Sequence, residues 1–292
     1  MDIPPLYERE NDTHKGDYGR IFVIAGSEGM VGAACLTAQA AYRAGAGYVC
    51  LALPERLARI VPSNPEMECV LTAPVPETED GAIALVATSQ ITKESKNYDV
   101  VAMGPGLSRN PQTQEMVAHL LPDLNHSLII DADALNSLAR HSEVIPKINR
   151  EKGLPIFTPH PVEFARLTQA ERPLIEPQMR EQGCRDYAAE NEVVCILKGH
   201  KTVVSDGDRV YINNTGNPGM ATAGAGDVLT GLLAALRGQG YDSFEAAVLG
   251  VYLHGLAGDF AAEELGIWGI NARDVLFALP SAFKKHFEDT KN

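Results

Sequence analysis

Short, uninterrupted apolar runs recur along the chain, and each ends in Gly, Pro or Asp. The segments between them repeat their apolar residues at helical spacing. Strands that are apolar throughout are typical of parallel sheets with helices on both faces. Because crossovers between parallel strands are right-handed, the pattern predicts an α/β three-layer sandwich with a mainly parallel, doubly wound sheet. The predicted strands lie at 20–26, 48–54, 99–106, 127–133, 155–161 and 193–199.

Three other segments complete the predicted fold. Residues 202–213 hold two β-rich runs around an Asp-Gly-Asp turn, which predicts an antiparallel edge hairpin. Residues 31–47 form an Ala-rich helical pattern with a Gly stop, and helical patterning returns from Gly226 to about Phe287. No linker or repeat interrupts the chain, so residues 1–292 are predicted to form a single domain.

Composition limits the class of partner. The 292 residues carry a formal net charge of −13, whereas nucleic-acid and anionic-membrane binders need a basic face. The five cysteines include no Cys-x-x-Cys pair, which favours a reducing compartment over a disulfide framework. The N-terminus is polar and acidic, and no apolar run is long enough to span a membrane. We therefore expect a cytoplasmic protein that binds small molecules, without nucleic-acid or membrane partners.

Polar residues and glycines collect where the predicted strands end. In open α/β sheets, ligands bind at the carboxyl ends of the strands, so these residues mark the expected site. They are Gly26, Gly104, Gly106, Asp131, Asp133, His160 and Lys198.

The stretch NPGMATAGAGDVLTG, residues 217–231, precedes a helical pattern. Its spacing fits neither the dinucleotide fingerprint nor the P-loop. Its glycines let successive amides point in one direction at a helix N-terminus, which predicts an anion hole. Asp227 follows, either as a carboxylate that complements the helix dipole or as a general base for a hydroxyl group. The surrounding glycines and small residues favour the base. The predicted anion hole consists of the amides of Ala223, Gly224, Ala225 and Gly226.

The motif GAGD at the start of a helix resembles the signature of the ribokinase-like small-molecule kinases. Together with TPHPVEFARL, LKGHKTVV, DADALN, GPGL and YLHGLAGD, the longer stretch resembles the ADP-dependent NAD(P)H-hydrate dehydratase family. The motifs occur in the family's order over nearly the whole chain, and the resemblance implies a ribokinase-like fold. Bifunctional members carry an additional epimerase domain ahead of this one, so a stand-alone dehydratase is expected here.

The activity that the resemblance implies is repair of nicotinamide nucleotides. The enzyme would dehydrate the S-epimer of hydrated NADH and NADPH, using ADP as co-substrate and releasing AMP and phosphate. Mg²⁺ would bridge the phosphate oxygens. The resemblance also implies a homotetramer.

The resemblance assigns roles to individual residues. Asp227 would be the base and, with three further residues, would contact the hydrate: Ala33, Gly106 and His160. Glu163 would organise Mg²⁺ through water. The ADP/AMP site would consist of Lys198, Gly199, His200, Lys201, Thr202 and Gly226.

The residues by themselves leave alternatives open. Segment 198–202 could be an exposed basic turn, and His160 could lie in a stiff loop. Asp131 could help to hold the metal, and His254 is interpreted as a core histidine with its hydrogen bonds satisfied. The function could instead be that of a small-molecule kinase for a vitamin-precursor alcohol, which would share GAGD, or of a nucleotide sensor without catalysis. The choice between ADP and ATP stays open.

Overall fold

A computed structural model describes residues 2–174 and 176–291. One sheet contains the nine strands of the described residues: β1 (Arg20–Ile24), β2 (Tyr48–Pro54), β3 (Leu71–Val75), β4 (Val100–Met103), β5 (Ser127–Ile130), β6 (Ile156–Phe157), β7 (Val194–Leu197), β8 (Val203–Ser205) and β9 (Val210–Ile212). Their order is β3-β2-β1-β4-β5-β6-β7-β8-β9. All neighbours from β3 to β7 pair in parallel, and β8 and β9 add an antiparallel edge.

Helices cover both faces of this sheet. They are α1 (Val31–Arg43), α2 (Glu55–Ala58), α3 (Thr88–Ser95), α4 (Pro111–Leu120), α5 (Ala132–Leu138), α6 (Pro161–Leu167), α7 (Pro177–Asn191), α8 (Ala225–Gly238), α9 (Ser243–Leu265) and α10 (Ala272–Thr290). One hydrophobic core joins α1, α8, α9 and α10 to one face of the sheet. A second core joins the five helices from α3 through α7 to the opposite face. Within the described ranges, no helix combines the length and the apolar character needed to cross a bilayer.

The predicted three-layer architecture is confirmed, including the parallel strands and the edge hairpin. Helix α1 ends at Arg43, before the predicted Gly stop, and the C-terminal helical region is divided into α8, α9 and α10. The sequence analysis missed strand β3 at the opposite edge. Its five residues include Pro74, and only Val75 is fully buried, so the strand lacks the continuous apolar signal of the central strands.

The strand order reverses between β1 and β4, which creates a crevice at their carboxyl ends. The loops after these two strands meet there, because the Gly26 amide donates to the Pro105 carbonyl oxygen at 2.9 Å. The segments after β5, β6 and β7 lie along the same edge. The topology therefore brings together the polar strand ends on which the predicted site depends.

Candidate active site

Asp227 lies in the first turn of α8, beside a sharply turned backbone. Gly224 caps the helix with φ +93° and without a side-chain hydrogen bond. A Cβ at this position would lie 2.6 Å from the Leu36 side chain and 2.9 Å from the Ala272 Cβ. Both the backbone conformation and the close packing therefore require glycine here.

Three of the four amides predicted for the anion hole are free of backbone hydrogen bonds in the described part of the chain: those of Ala223, Gly224 and Gly226. The fourth, Ala225, donates to the Thr222 carbonyl oxygen at a long 3.4 Å. The first amides of a helix have no intrahelical acceptor and favour an anion. The loop can thus present three donors, and the Ala225 amide is partly used within the loop itself.

The Asp227 carboxylate is in a setting that suits a general base. Burial, followed by the charge of Asp131, raises its pKa to about 7, although the Lys198 ammonium acts in the opposite direction. Asp133 and Glu163 raise the pKa further. Among the residues described, none forms a hydrogen bond or ion pair with this carboxylate. A base whose pKa lies near neutrality accepts a proton efficiently at physiological pH.

A buried network supports the helix N-terminus from below. Lys198 Nζ donates to Asp131 Oδ1 at 2.7 Å, and Thr230 Oγ1 donates to Asp131 Oδ2 at 2.8 Å. Asp131 is 1% exposed. Both of its oxygens are therefore engaged by protein donors, which makes Asp131 the counter-charge of Lys198, and its role as a metal ligand stays a prediction. The sequence analysis missed Thr230, although it lies one helical turn after Asp227.

Lys198 belongs to this network rather than to an exposed basic turn. A Cβ on Gly226 would lie 3.2 Å from Lys198 Nζ, so the ammonium lies directly beneath the predicted anion hole. Burial acts to lower the pKa of Lys198, but the carboxylates of Asp131 and Glu163 outweigh it and leave the pKa raised. The ammonium therefore stays protonated beside the predicted anion hole, paired with the Asp131 carboxylate.

Arg180 of α7 fixes the start of the segment after β7, a role that the sequence did not indicate. Its Nη1 donates to the His200 carbonyl oxygen at 2.7 Å. Its Nη2 lies 3.1 Å from the carbonyl oxygen of Leu197 and 3.2 Å from that of Lys198. These contacts hold the backbone that positions the Lys198 side chain.

The rest of the predicted nucleotide segment forms a tight turn. Thr202 Oγ1 donates to the Gly199 carbonyl oxygen at 2.9 Å. Gly199 and Lys201 have φ +142° and +54°. Gly199, His200 and Lys201 are exposed, and Thr202 is half-buried. The turn thus exposes its backbone and the side chains of His200 and Lys201 to solvent, whereas the Lys198 side chain points inward.

His160 and Glu163 form a capping box at the start of α6. His160 Nδ1 accepts from the amides of Val162 at 3.1 Å and Glu163 at 3.3 Å, and Glu163 Oε2 accepts from the His160 amide at 2.8 Å. Burial and the Lys198 charge lower the pKa of His160. The ring is therefore neutral, with its proton on Nε2, which lies 3.3 Å from Glu163 Oε1. Since 45% of its side chain is exposed, His160 can still offer this N–H to a ligand.

Glu163 is 5% exposed, and its pKa is raised by burial. Its capping bond gives it a structural role that the metal prediction did not include. No group of three or more His, Cys, Asp or Glu side chains able to hold a metal ion occurs in residues 2–174 and 176–291. A single carboxylate such as Glu163 suits an ion that nucleotide phosphates hold and that retains its waters, as Mg²⁺ does.

Ala33 and Gly106, two predicted hydrate contacts, lie side by side in the crevice between β1 and β4. A Cβ at Gly106, where φ is +63°, would lie 3.1 Å from the Ala33 Cβ and 2.8 Å from the Met30 carbonyl oxygen. The backbone at Gly106 thus packs directly against residues 30–33, and any side chain at position 106 would clash with this wall of the crevice.

His254 of α9 differs from its prediction. Its Nε2 is inaccessible to solvent and has no hydrogen-bond partner in the described residues, whereas the ring makes one hydrogen bond with the backbone of Ala225, so its hydrogen bonds are satisfied only in part. Burial lowers its pKa to about 4, and the Lys198 charge acts in the same direction. The ring is therefore neutral.

Comparisons with known proteins identify the family of the chain. The model of the NAD(P)H-hydrate dehydratase family matches residues 21–281. A bifunctional NAD(P)H-hydrate repair enzyme from Moorella thermoacetica is 43% identical over 98% of this chain and 53% of its own length. The chain thus spans about half the length of the curated relatives it matches.

Solved structures give the same result. The ADP/ATP-dependent NAD(P)H-hydrate dehydratase from Bacillus subtilis, co-crystallised with ATP and Mg²⁺, superimposes with a TM-score of 0.78 at 29% identity. The match covers 97% of this chain and 95% of that one. A ribokinase-like superfamily protein from Enterococcus faecalis gives 0.80 at 25% identity, covering 96% and 91%. The fold is ribokinase-like, and the chain belongs to the NAD(P)H-hydrate dehydratase family.

Proposed function

We propose that this protein dehydrates the S-epimer of hydrated NADH and NADPH in an ADP-dependent reaction that releases AMP and phosphate. Family membership supports the reaction class. The observation that carries the proposal is the Asp227 carboxylate, whose pKa is about 7 and which lies beside three free amides.

The proposed reaction begins as a phosphoryl transfer. Asp227 takes the proton of the ring hydroxyl, and the hydroxyl oxygen forms a bond to the β-phosphorus of ADP. The bond from that phosphorus to the bridging oxygen breaks, and AMP leaves. The lone pair of the ring nitrogen then expels phosphate from the neighbouring carbon. Loss of a proton from the adjacent ring carbon restores the double bond of NADH or NADPH.

The other site residues would hold the reactants for this step. The amides of Ala223, Gly224 and Gly226 would donate to the transferring phosphate, with the Lys198 ammonium beneath them. His160 Nε2–H and the wall at Gly106 would orient the hydrated ring. Bound with the nucleotide, Mg²⁺ would neutralise phosphate charge, and Glu163 would orient its waters.

Substitution of Asp227 with Asn tests the base. The kcat of dehydration should fall about a thousandfold. The reaction is monitored through the recovery of the near-ultraviolet absorbance of NADH. Burial opposes a charge at this position, so the neutral Asn should leave thermal stability intact. Asp289→Asn, on the surface of α10, is the matched control and should keep wild-type activity.

If the Asp227→Asn variant is folded and still dehydrates the hydrate at nearly the wild-type rate, Asp227 is not the general base. A stable phosphorylated product of wild type would instead favour a small-molecule kinase, and nucleotide binding without any turnover would favour a sensor.

Three finer points belong to the same proposal. We take ADP as the phosphoryl donor, which parallel assays with ADP and ATP would test. We also propose a homotetramer, which light scattering would test, and a cytoplasmic location, which cell fractionation would test.

A further inference from the structure

A cavity of about 300 Å³, lined mostly by residues with polar or charged side chains, opens beside the candidate site, between α4, α5 and α6. Three arginines contributed by different segments of the chain converge on it. Its lining consists of Arg109, Gln114, Asn136, Ala139, Arg140 and Arg166, here called the arginine pocket.

The charges of these arginines are poorly compensated. Arg140 Nη1 donates to Gln114 Oε1 at 3.2 Å, and Arg166 Nη1 donates to Asn136 Oδ1 at 2.8 Å. Both acceptors are neutral amides. For the three guanidinium groups, the described residues supply one carboxylate within 4.0 Å, that of Asp133, which lies 3.9 Å from Arg109 Nε. The pocket is therefore a concentration of positive charge in a chain of net charge −13.

The neutral partners also hold the arginines in place. Gln114 and Asn136 are 3% and 9% exposed, so the floor of the pocket is fixed in the protein interior. A guanidinium group has five N–H donors, and each of these amide oxygens engages only one of them. The remaining donors of Arg140 and Arg166 are available to an anion that enters from solvent.

The arginine pocket adjoins the predicted hydrate contacts. Asn136 Nδ2 donates to Asp133 Oδ1 at 3.2 Å, and the amide of Ser108, two residues after Gly106, donates to Asp133 Oδ2 at 2.9 Å. On the other side, Arg166 is near enough to His160 to lower the pKa of its imidazole. A ligand with its reactive ring between Gly106 and His160 could thus extend a charged portion over the pocket.

We propose that the arginine pocket binds a phosphate group of the hydrated dinucleotide. This inference rests on the proposed function. The dinucleotide carries a diphosphate, and its NADPH form has an additional phosphate on the adenosine ribose. Forked guanidinium donors suit either group. The nucleotide co-substrate would use the separate donors at the start of α8, so the two sets of phosphates would be bound on opposite sides of the reacting ring.

Substitution of Arg140 with Gln is the sharpest test, because this exposed side chain contacts neither Asp227 nor the capping box. KM for the hydrate should rise roughly tenfold, while KM for ADP stays within about twofold. Arg140→Lys should recover part of the loss. The matched control is Arg43→Gln, at the exposed end of α1 in the other helical layer, which should leave both KM values unchanged.

Hydrates of NADH and NADPH distinguish the two phosphate sources. A rise in KM for both supports binding of the diphosphate, and a rise for the NADPH hydrate alone supports binding of the ribose phosphate. Unchanged KM for both hydrates, or a rise in KM for ADP instead, would overturn the proposal.

A binding measurement separates this inference from the proposed function. NADP⁺ is titrated calorimetrically into wild type and Arg140→Gln with excess ADP present, which occupies the nucleotide site. Weaker binding by the variant supports the pocket even if wild type shows no dehydration, a result that would refute the proposed function alone. Equal binding by the two proteins contradicts the pocket, whatever the activity.

Discussion

The two sides of the candidate site are built differently. On the α8 side, Lys198, Asp131 and Thr230 form a closed network in which Asp131 is 1% exposed. On the α4–α6 side, the guanidinium groups of Arg140 and Arg166 are exposed and bonded to neutral amides. Positive charge is neutralised by a buried carboxylate on the first side and left for a ligand on the second.

This difference separates chemistry from recognition. A general base and an anion hole need fixed geometry and low water content, since each gains strength from a preorganised, dry setting. Recognition of a flexible, charged substrate needs donors that solvent can reach before binding. Substitutions on the α8 side should therefore affect folding and kcat, and those on the exposed side should affect KM and salt dependence.

The largest effect is expected at Asp131. Asp131→Ala leaves the Lys198 ammonium without its 2.7 Å partner and deprives Thr230 of its acceptor. Removal of one partner from a buried ion pair costs about 3–5 kcal/mol, so the free energy of unfolding in urea should fall by that amount. Activity should be lost with it.

The matched control removes a carboxylate from a surface pair. Glu55→Ala breaks the contact with Arg59, whose side chain is 76% exposed, and should change the free energy of unfolding by less than about 1 kcal/mol. Equal losses in the two variants would show that the network on the α8 side contributes no more than a surface pair.

The second prediction concerns pH. Asp227 must be ionised to accept a proton, so kcat/KM should rise with pH until about 7 and should fall about tenfold for each unit below. Asp133 raises the pKa of Asp227, and Asp133→Asn should therefore move this limb to lower pH. A steady-state pH profile of both proteins measures the shift. An ascending limb near the ordinary aspartate value of 3.8 would contradict the raised pKa.

The raised pKa of Asp227 also affects stability, but in the opposite direction: activity should increase with pH, whereas the contribution of Asp227 to stability should decrease. The folded state binds the Asp227 proton more tightly than the unfolded state, so this residue contributes stability below pH 3.8 that is lost as pH rises to about 7. Asp227→Asn should remove this contribution. The difference in unfolding free energy between variant and wild type should therefore favour the variant more at pH 8 than at pH 4.

How much of the structure could be predicted from the sequence depends on how far apart in the chain the residues that build each feature lie. Continuous apolar runs identified the central strands because burial on both faces acts on every residue, whereas the half-exposed edge strand Leu71–Val75 gave no such pattern. GAGD identified the start of α8 because adjacent residues build the turn. The partners of Asp131 are 67 and 99 residues away in the chain, and no local pattern indicates them. For the same reason, the sequence did not predict that Arg109, Arg140 and Arg166 share a cavity.

The smallest effect is expected at Lys201, which follows Lys198 in the same turn but is exposed. Lys201→Gln should raise KM for ADP only about two- to fivefold at low ionic strength, because an exposed cation contributes about 1 kcal/mol or less. At about 1 M salt, where screening extends over roughly 3 Å, the difference should vanish. Lys285→Gln on α10 serves as the control for charge alone. A salt-resistant loss of more than tenfold would mean that Lys201 contacts the phosphates directly, and this exposed turn would then share the catalytic character of the α8 side.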